Sequence, residues 1–180
     1  MTRNNKIFLA LGVFTVLTYL FNKRGVITQA KNIIKENEGF KLNAYKDSTG
    51  TPTIGYGSTN YTLVPSLVAK FGRHDVKMGD KITAQEAEQL LDANIDFLGS
   101  KISGSLKRLN ARPNELGALI SFAYNLGLSG LLNSSLWKLY NVNTPLAEVA
   151  KQFEKYVFSK GQRIQGLVNR RKKEKALFIA

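Results

Sequence analysis

The stretch "KENEGFKLNAYKDSTGTPTIGYG", Lys35–Gly57, changes its period partway. Before it, "TQAKNIIKENEG" from Thr28 carries Ile33 and Ile34 on one side of a helical pattern, and Gly39 follows as a C-cap that leaves Glu38 at the helix end. After it, residues 40–60 are short-period and rich in Gly, Thr and Tyr, which predicts a small twisted antiparallel meander. Asp47 then falls in a turn with Ser48, Thr49 and Gly50, and Thr53 in the strand that leads to Gly55 and Gly57.

Beyond this stretch the pattern is helical. Residues 61–82 read as loop with one short helix. Thr83 and Glu86 form a capping box, and the helix it opens has apolar residues at Ala87, Leu90, Leu91, Ile95 and Leu98. Pro113 starts another helix, whose nearly continuous apolar run marks the buried centre of a helical lobe. "SGLLNSSLWKLYN", "PLAEVAKQFEKYV" and "GLVNRRKKEKALFIA" predict three more. The expected class is α+β: a small β lobe near the front, then a larger helical lobe.

Residues 1–24 differ in composition from the rest. Arg3 and Lys6 precede an uncharged run from Ile7 to Asn22, and Lys23 and Arg24 close it. As a helix the run would rise about 24 Å, short of the roughly 30 Å hydrocarbon core but able to span with snorkelling flanks. No small-x-small cleavage site follows it, so an uncleaved membrane anchor is favoured over a removed signal. The expected organisation is therefore an anchor at 1–24 and one catalytic domain at 28–180.

Composition narrows the chemistry. With no cysteine, thiolate catalysis, disulfides and zinc–sulfur sites are excluded. His74, the single histidine, lies in a polar loop and supplies neither a metal centre nor a triad. The net charge of +13 suits a polyanionic partner: nucleic acid, an anionic membrane or an acidic wall polymer. Part of it lies in "NRRKKEK", which reads as a basic helix face. It has no neighbouring aromatic platform before Phe178, which argues against nucleic acid.

Glycoside hydrolysis needs a proton donor for the leaving oxygen and a second carboxylate that activates water or attacks the anomeric carbon. Glu38, beside Gly39 and Phe40, suits the donor. Asp47, in a wetter turn, suits the base, and the Thr53 hydroxyl could hold a water between them. The same residues also read as a solvated helix end, a turn residue and a strand residue.

The ordered motifs E-x8-D-x5-T, with "EGF", "AYKDSTG" and "TIGYG", resemble the phage-type lysozymes, the family 24 glycoside hydrolases. "ARPNELGALISFAYNLG", "GLLNSSLWKLYN" and "GLVNRRKKEKALF" extend the resemblance over about Thr28–Phe178. It implies a lysozyme-like fold and cleavage of the β-1,4 bond between N-acetylmuramic acid and N-acetylglucosamine in peptidoglycan. It implies Glu38 as general acid, Asp47 as the carboxylate that positions or activates water, and Thr53 as the third polar member. Tyr124 and Asn125 fall where the family lines its cleft, and Arg170 where it has an arginine near the catalytic glutamate. Trp137 reads as core. One departure is Ser58, where many relatives have histidine.

The resemblance implies no metal or organic cofactor and a monomeric catalytic domain. With the N-terminal run it is similar to signal-anchor endolysins, held at the host inner membrane facing the wall; a virion-associated enzyme is the alternative placement. The rival activities are a wall-glycan-binding module without catalysis and a lytic transglycosylase, which would leave an anhydro-muramic end.

Overall fold

The computed structural model describes residue 25 and residues 28–180. The apolar run expected to form an anchor lies outside them. Among the described residues, no helix is long and apolar enough to cross a membrane.

Helix α1 (residues 28–37) buries Ala30, Ile33 and Ile34, the face its pattern predicts. Its last backbone bond runs from the Glu38 N–H to the Ile34 carbonyl, 2.8 Å. Gly39 does not take the left-handed conformation of a C-cap glycine, because the chain passes straight into a strand. Strands β1 (Lys41–Lys46) and β2 (Pro52–Gly55) form one antiparallel hairpin in which Tyr45 faces Thr53. The expected meander is thus two strands, extended by isolated bridges from Ile54 to Ser58 and from Asn60 to Asp75.

The short helix α2 (Pro65–Phe71) leads to α3 (Ala84–Gly104), which opens on the expected Thr83–Glu86 capping box. All the apolar positions read from its sequence are buried. Helix α4 (Pro113–Leu126) begins at its proline and is buried without a break from Gly117 to Ala123. It is the centre of the helical lobe, packed between α3 and the closing helix α8 (Gln165–Ile179).

Three details differ from expectation. "SGLLNSSLWKLYN" forms two helices, α5 (Leu128–Asn133) and α6 (Ser135–Asn141), because the Ser134 hydroxyl accepts from the Trp137 N–H and starts a new helix. Helix α7 (Leu146–Lys151) tightens into a 3-10 turn at Gln152–Lys155. A small hairpin of β3 (Phe158–Ser159) and β4 (Gln162–Arg163) precedes α8, turning at Lys160 and Gly161, both with positive φ. Trp137 is buried, as its core reading required.

Candidate active site

The end of α1 places Glu38 against α8. Its Oε1 accepts from Arg170 Nη1 at 2.5 Å, and its side chain is 23% exposed against 3% for the arginine. Oε2 faces Gly57: a Cβ built on that glycine would lie 3.5 Å from it, and the glycine's φ of +90° disfavours any other residue.

Arg170 is shared. Its Nε donates to Glu174 Oε1 at 3.1 Å and its Nη2 to the Ser121 carbonyl at 3.0 Å. Glu174 is fully buried, accepts from the Ser121 hydroxyl at 2.7 Å, and lies 2.8 Å from Arg171 Nη1. Burial pushes the Glu174 carboxyl above its ordinary value, against the pull of Arg171 and Arg170. Arg171 lies over the Phe122 ring, 4.6 Å from its centroid, and donates to Asn125 Oδ1.

This corrects the reading of "NRRKKEK" as a basic face. Its two arginines are buried in a charge network under the site. Lys173 and Lys175 are engaged by Glu36 and Glu154. The signal was present: Glu174 follows Arg170 and Arg171 at i+4 and i+3, where helix neighbours meet.

Asp47 occupies the turn between β1 and β2. Its Oδ1 accepts from the Thr49 hydroxyl (2.7 Å), the Thr49 N–H (2.8 Å) and the Thr51 N–H (2.9 Å). These bonds, the Thr49 hydroxyl first, hold the carboxyl below its ordinary value. All three reach one oxygen, so Oδ2 has no protein donor among the described residues. Thr53 is buried and its hydroxyl donates to the Thr51 carbonyl at 2.9 Å. Its proton is thereby spent locally, and its lone pairs remain as acceptors. Tyr45, opposite Thr53, reports on both carboxylates: burial, then the charges of Glu38 and Asp47, raise its hydroxyl pKa.

Tyr124 and Asn125 have different situations. The Tyr124 hydroxyl donates to the Tyr56 carbonyl at 2.6 Å and so bridges the helical lobe and the β lobe. Burial, reinforced by the charge of Glu38, raises its pKa. Asn125 is exposed and oriented by Arg171. Glu38, Arg170 and Tyr124 therefore share one neighbourhood, which Asn125 joins through Arg171. His74 is exposed in its loop, as expected.

Sequence reasoning missed a second network behind the hairpin. Glu88 on α3 meets Lys31 at 2.8 Å, Lys35 at 2.6 Å and the Tyr56 hydroxyl at 2.8 Å. Lys31 also reaches Asp92 at 2.6 Å. Burial pushes the Glu88 carboxyl up, but the hydrogen bonds from Lys31, Lys35 and Tyr56 overcome it and bring it to about 2. Lys31 and Lys35 are one helical turn apart, as are Glu88 and Asp92, and these spacings were the sequence cues.

Comparison with known proteins identifies the family. The phage lysozyme family model matches residues 35–174. The endolysin of Bacillus phage PZA is 37% identical over 150 residues, 82% of this chain, which spans 52% of that relative's length. The endolysin of Salmonella phage P22 is 33% identical over 147 residues, covering 82% of this chain and 92% of its own. The solved endolysin from Escherichia coli O157:H7 phage FAHEc1 superposes with a TM-score of 0.69 at 32% identity, covering 84% of this chain and 90% of that one. The chain belongs to the phage lysozyme family and is a lysozyme-type glycosidase acting on peptidoglycan.

Proposed function

We propose that the chain cleaves the β-1,4 bond between N-acetylmuramic acid and N-acetylglucosamine, with Glu38 as proton donor and Asp47 and Thr53 as the holders of the attacking water. The observation that carries this reading is the division of labour at the hairpin. Asp47 keeps Oδ2 free, and Thr53 has spent its proton on Thr51. A water that donates one hydrogen to Asp47 Oδ2 and the other to Thr53 Oγ1 presents its lone pair to the anomeric carbon. As it attacks, Asp47 takes a proton from it and Glu38 gives one to the leaving oxygen. Arg170 fixes the Glu38 rotamer, and Glu174 divides the guanidinium's charge with it. Tyr124 and Asn125 line the cleft on the α4 side. A water-mediated displacement inverts the configuration, so the first-formed product is the α-anomer.

We also read the run from Ile7 to Asn22, with its basic flanks, as the segment that holds the enzyme at the host inner membrane facing the wall. Its weakly apolar character, from Ala10, Gly12, Thr15 and Thr18, suits a signal anchor that can be released.

The test is hydrolysis of isolated peptidoglycan with and without Glu38→Gln, reading the fragments by mass spectrometry. New reducing muramic ends that fall by at least about 10³-fold in the variant are expected, the upper range for loss of a general acid. Anhydro-muramic ends would instead make the chain a transglycosylase. Equal cleavage by the variant would remove Glu38 from the mechanism.

A further inference from the structure

At one pole of the helical lobe α3 ends, α4 starts and α8 ends. Residues 105–112, the loop between α3 and α4, close this pole. Arg108 Nη1 donates to the Thr144 carbonyl at 3.0 Å and to the Tyr140 carbonyl at 3.3 Å. The Lys107 N–H donates to Asn141 Oδ1 at 2.6 Å, so the loop is pinned to the turn after α6. Asn114 Nδ2 donates to the Leu177 carbonyl at 3.0 Å, which brings the end of α8 to the same place. From here α4 climbs to Tyr124 at the cleft, a rise of about 17 Å, so the pole lies away from the hairpin lobe.

The two most exposed large apolar side chains among the described residues stand at this pole, Leu109 at 80% and Val142 at 71%. Each precedes an asparagine with positive φ, Asn110 and Asn143, so each sits on a tight turn. Ile179, at the end of α8, is exposed beside them. Single exposed aliphatics are ordinary; a group of them at one pole marks an interaction surface. They have cations around them. Lys107 and Lys138 are exposed and have no ion pair among the described residues. Arg108 bonds to carbonyls, which leave its charge in place. Neither 101–112 nor 138–147 holds an acidic residue. Glu115, on the first turn of α4, is buried and engaged by Arg112 and Tyr140, and Glu148 begins the next helix.

Helix α1 points back to the same pole. Lys35 meets Glu88, and Lys31 meets Glu88 and Asp92, so α1 runs antiparallel to α3 and starts on the side where α3 ends. The run read above as an anchor precedes that start in the sequence.

We propose that this pole rests on an anionic lipid bilayer, with Leu109 and Val142 in the headgroup layer and Lys107, Arg108 and Lys138 facing the lipid phosphates. This rests on the anchor reading above and deepens it, because it names the face of the catalytic domain that meets the membrane. Bound in this way, the domain holds its cleft on the side away from the bilayer.

The chain has no cysteine, so a single introduced one carries an environment-sensitive fluorophore to a chosen position. Four full-length variants, Leu109→Cys, Val142→Cys, Met78→Cys and Val13→Cys, are labelled and mixed with vesicles of phosphatidylglycerol and phosphatidylcholine or of phosphatidylcholine alone. Labels at 109 and 142 are expected to shift to the blue, and to be quenched by spin-labelled lipid, with the anionic vesicles only. Adding Lys107→Glu and Lys138→Glu should abolish both effects. The label at 78, in the hairpin lobe, should stay in water throughout. No shift at 109 and 142 would overturn the proposal, as would an equal shift at 78 or in neutral vesicles. Blue emission at 109 before any vesicle is added would also overturn it, since another segment or a second copy would then cover the pole. The label at 13 reports on the anchor separately. If it stays in water the anchor reading fails, and the labels at 109 and 142 still decide the pole.

Discussion

At the scale of single residues, the site assigns each polar atom one task. Asp47 commits Oδ1 to the turn and keeps Oδ2 for solvent. Asp47→Asn keeps the shape but replaces a proton acceptor by an amide. We expect kcat to fall about 10²-fold with KM little changed, measured by reducing-end release. Thr53→Val keeps the volume and loses the acceptor for water, so a smaller loss in kcat, about tenfold, is expected. Asp47 and Thr53 stood out as candidates in the sequence because glycoside hydrolysis calls for particular residue types, and types can be read directly. The turn geometry that frees one Asp47 oxygen was not legible, because it depends on backbone N–H groups that every residue carries.

At the scale of elements, ion pairs hold the site's pieces together. Glu88 ties α1 to α3 and, through the Tyr56 hydroxyl, to the turn that carries Gly57. Its carboxyl is brought from an ordinary 4.5 to about 2, so the folded state binds its proton less readily than the unfolded chain. The resulting stability is complete above about pH 4.5 and is lost as pH falls towards 2. With the side chain one-third exposed, solvent screening leaves a contribution on the order of 1–2 kcal/mol. Glu88→Gln should flatten the stability–pH curve in that window, as measured by urea unfolding at stepped pH. Periodicity revealed α3 and its capping box. It did not reveal the break at Ser134, where a side-chain cap outweighs continued helix, nor the β3–β4 hairpin, whose residues are too few to show alternation.

At the scale of the molecule, two lobes meet along a seam that Tyr124 crosses to reach Tyr56. The order of motifs along the chain made the lysozyme-like α+β class readable before any coordinates. The network under the site was not readable, since Arg170 and Glu38 are 132 positions apart and only folding brings them together. The net charge of +13 favours encounter with an anionic wall. Raising salt from about 0.1 to 1 M shortens the screening length from about 10 to 3 Å, so kcat/KM on whole cell walls should fall steeply. On short neutral oligosaccharides it should change little.

The pairing of Glu38 with Arg170 also sets a schedule for synthesis. A ribosome releases the chain from its amino end, so Glu38, Asp47 and Thr53, the residues proposed above as acid, base and water holder, all emerge while α8 is still untranslated. A growing polypeptide therefore holds Glu38 and Asp47 without the Arg170 guanidinium that the first of them pairs with. Until α8 is made and docks on α4, Glu38 has no Arg170 to meet, so under the proposed mechanism a nascent chain stays blunt.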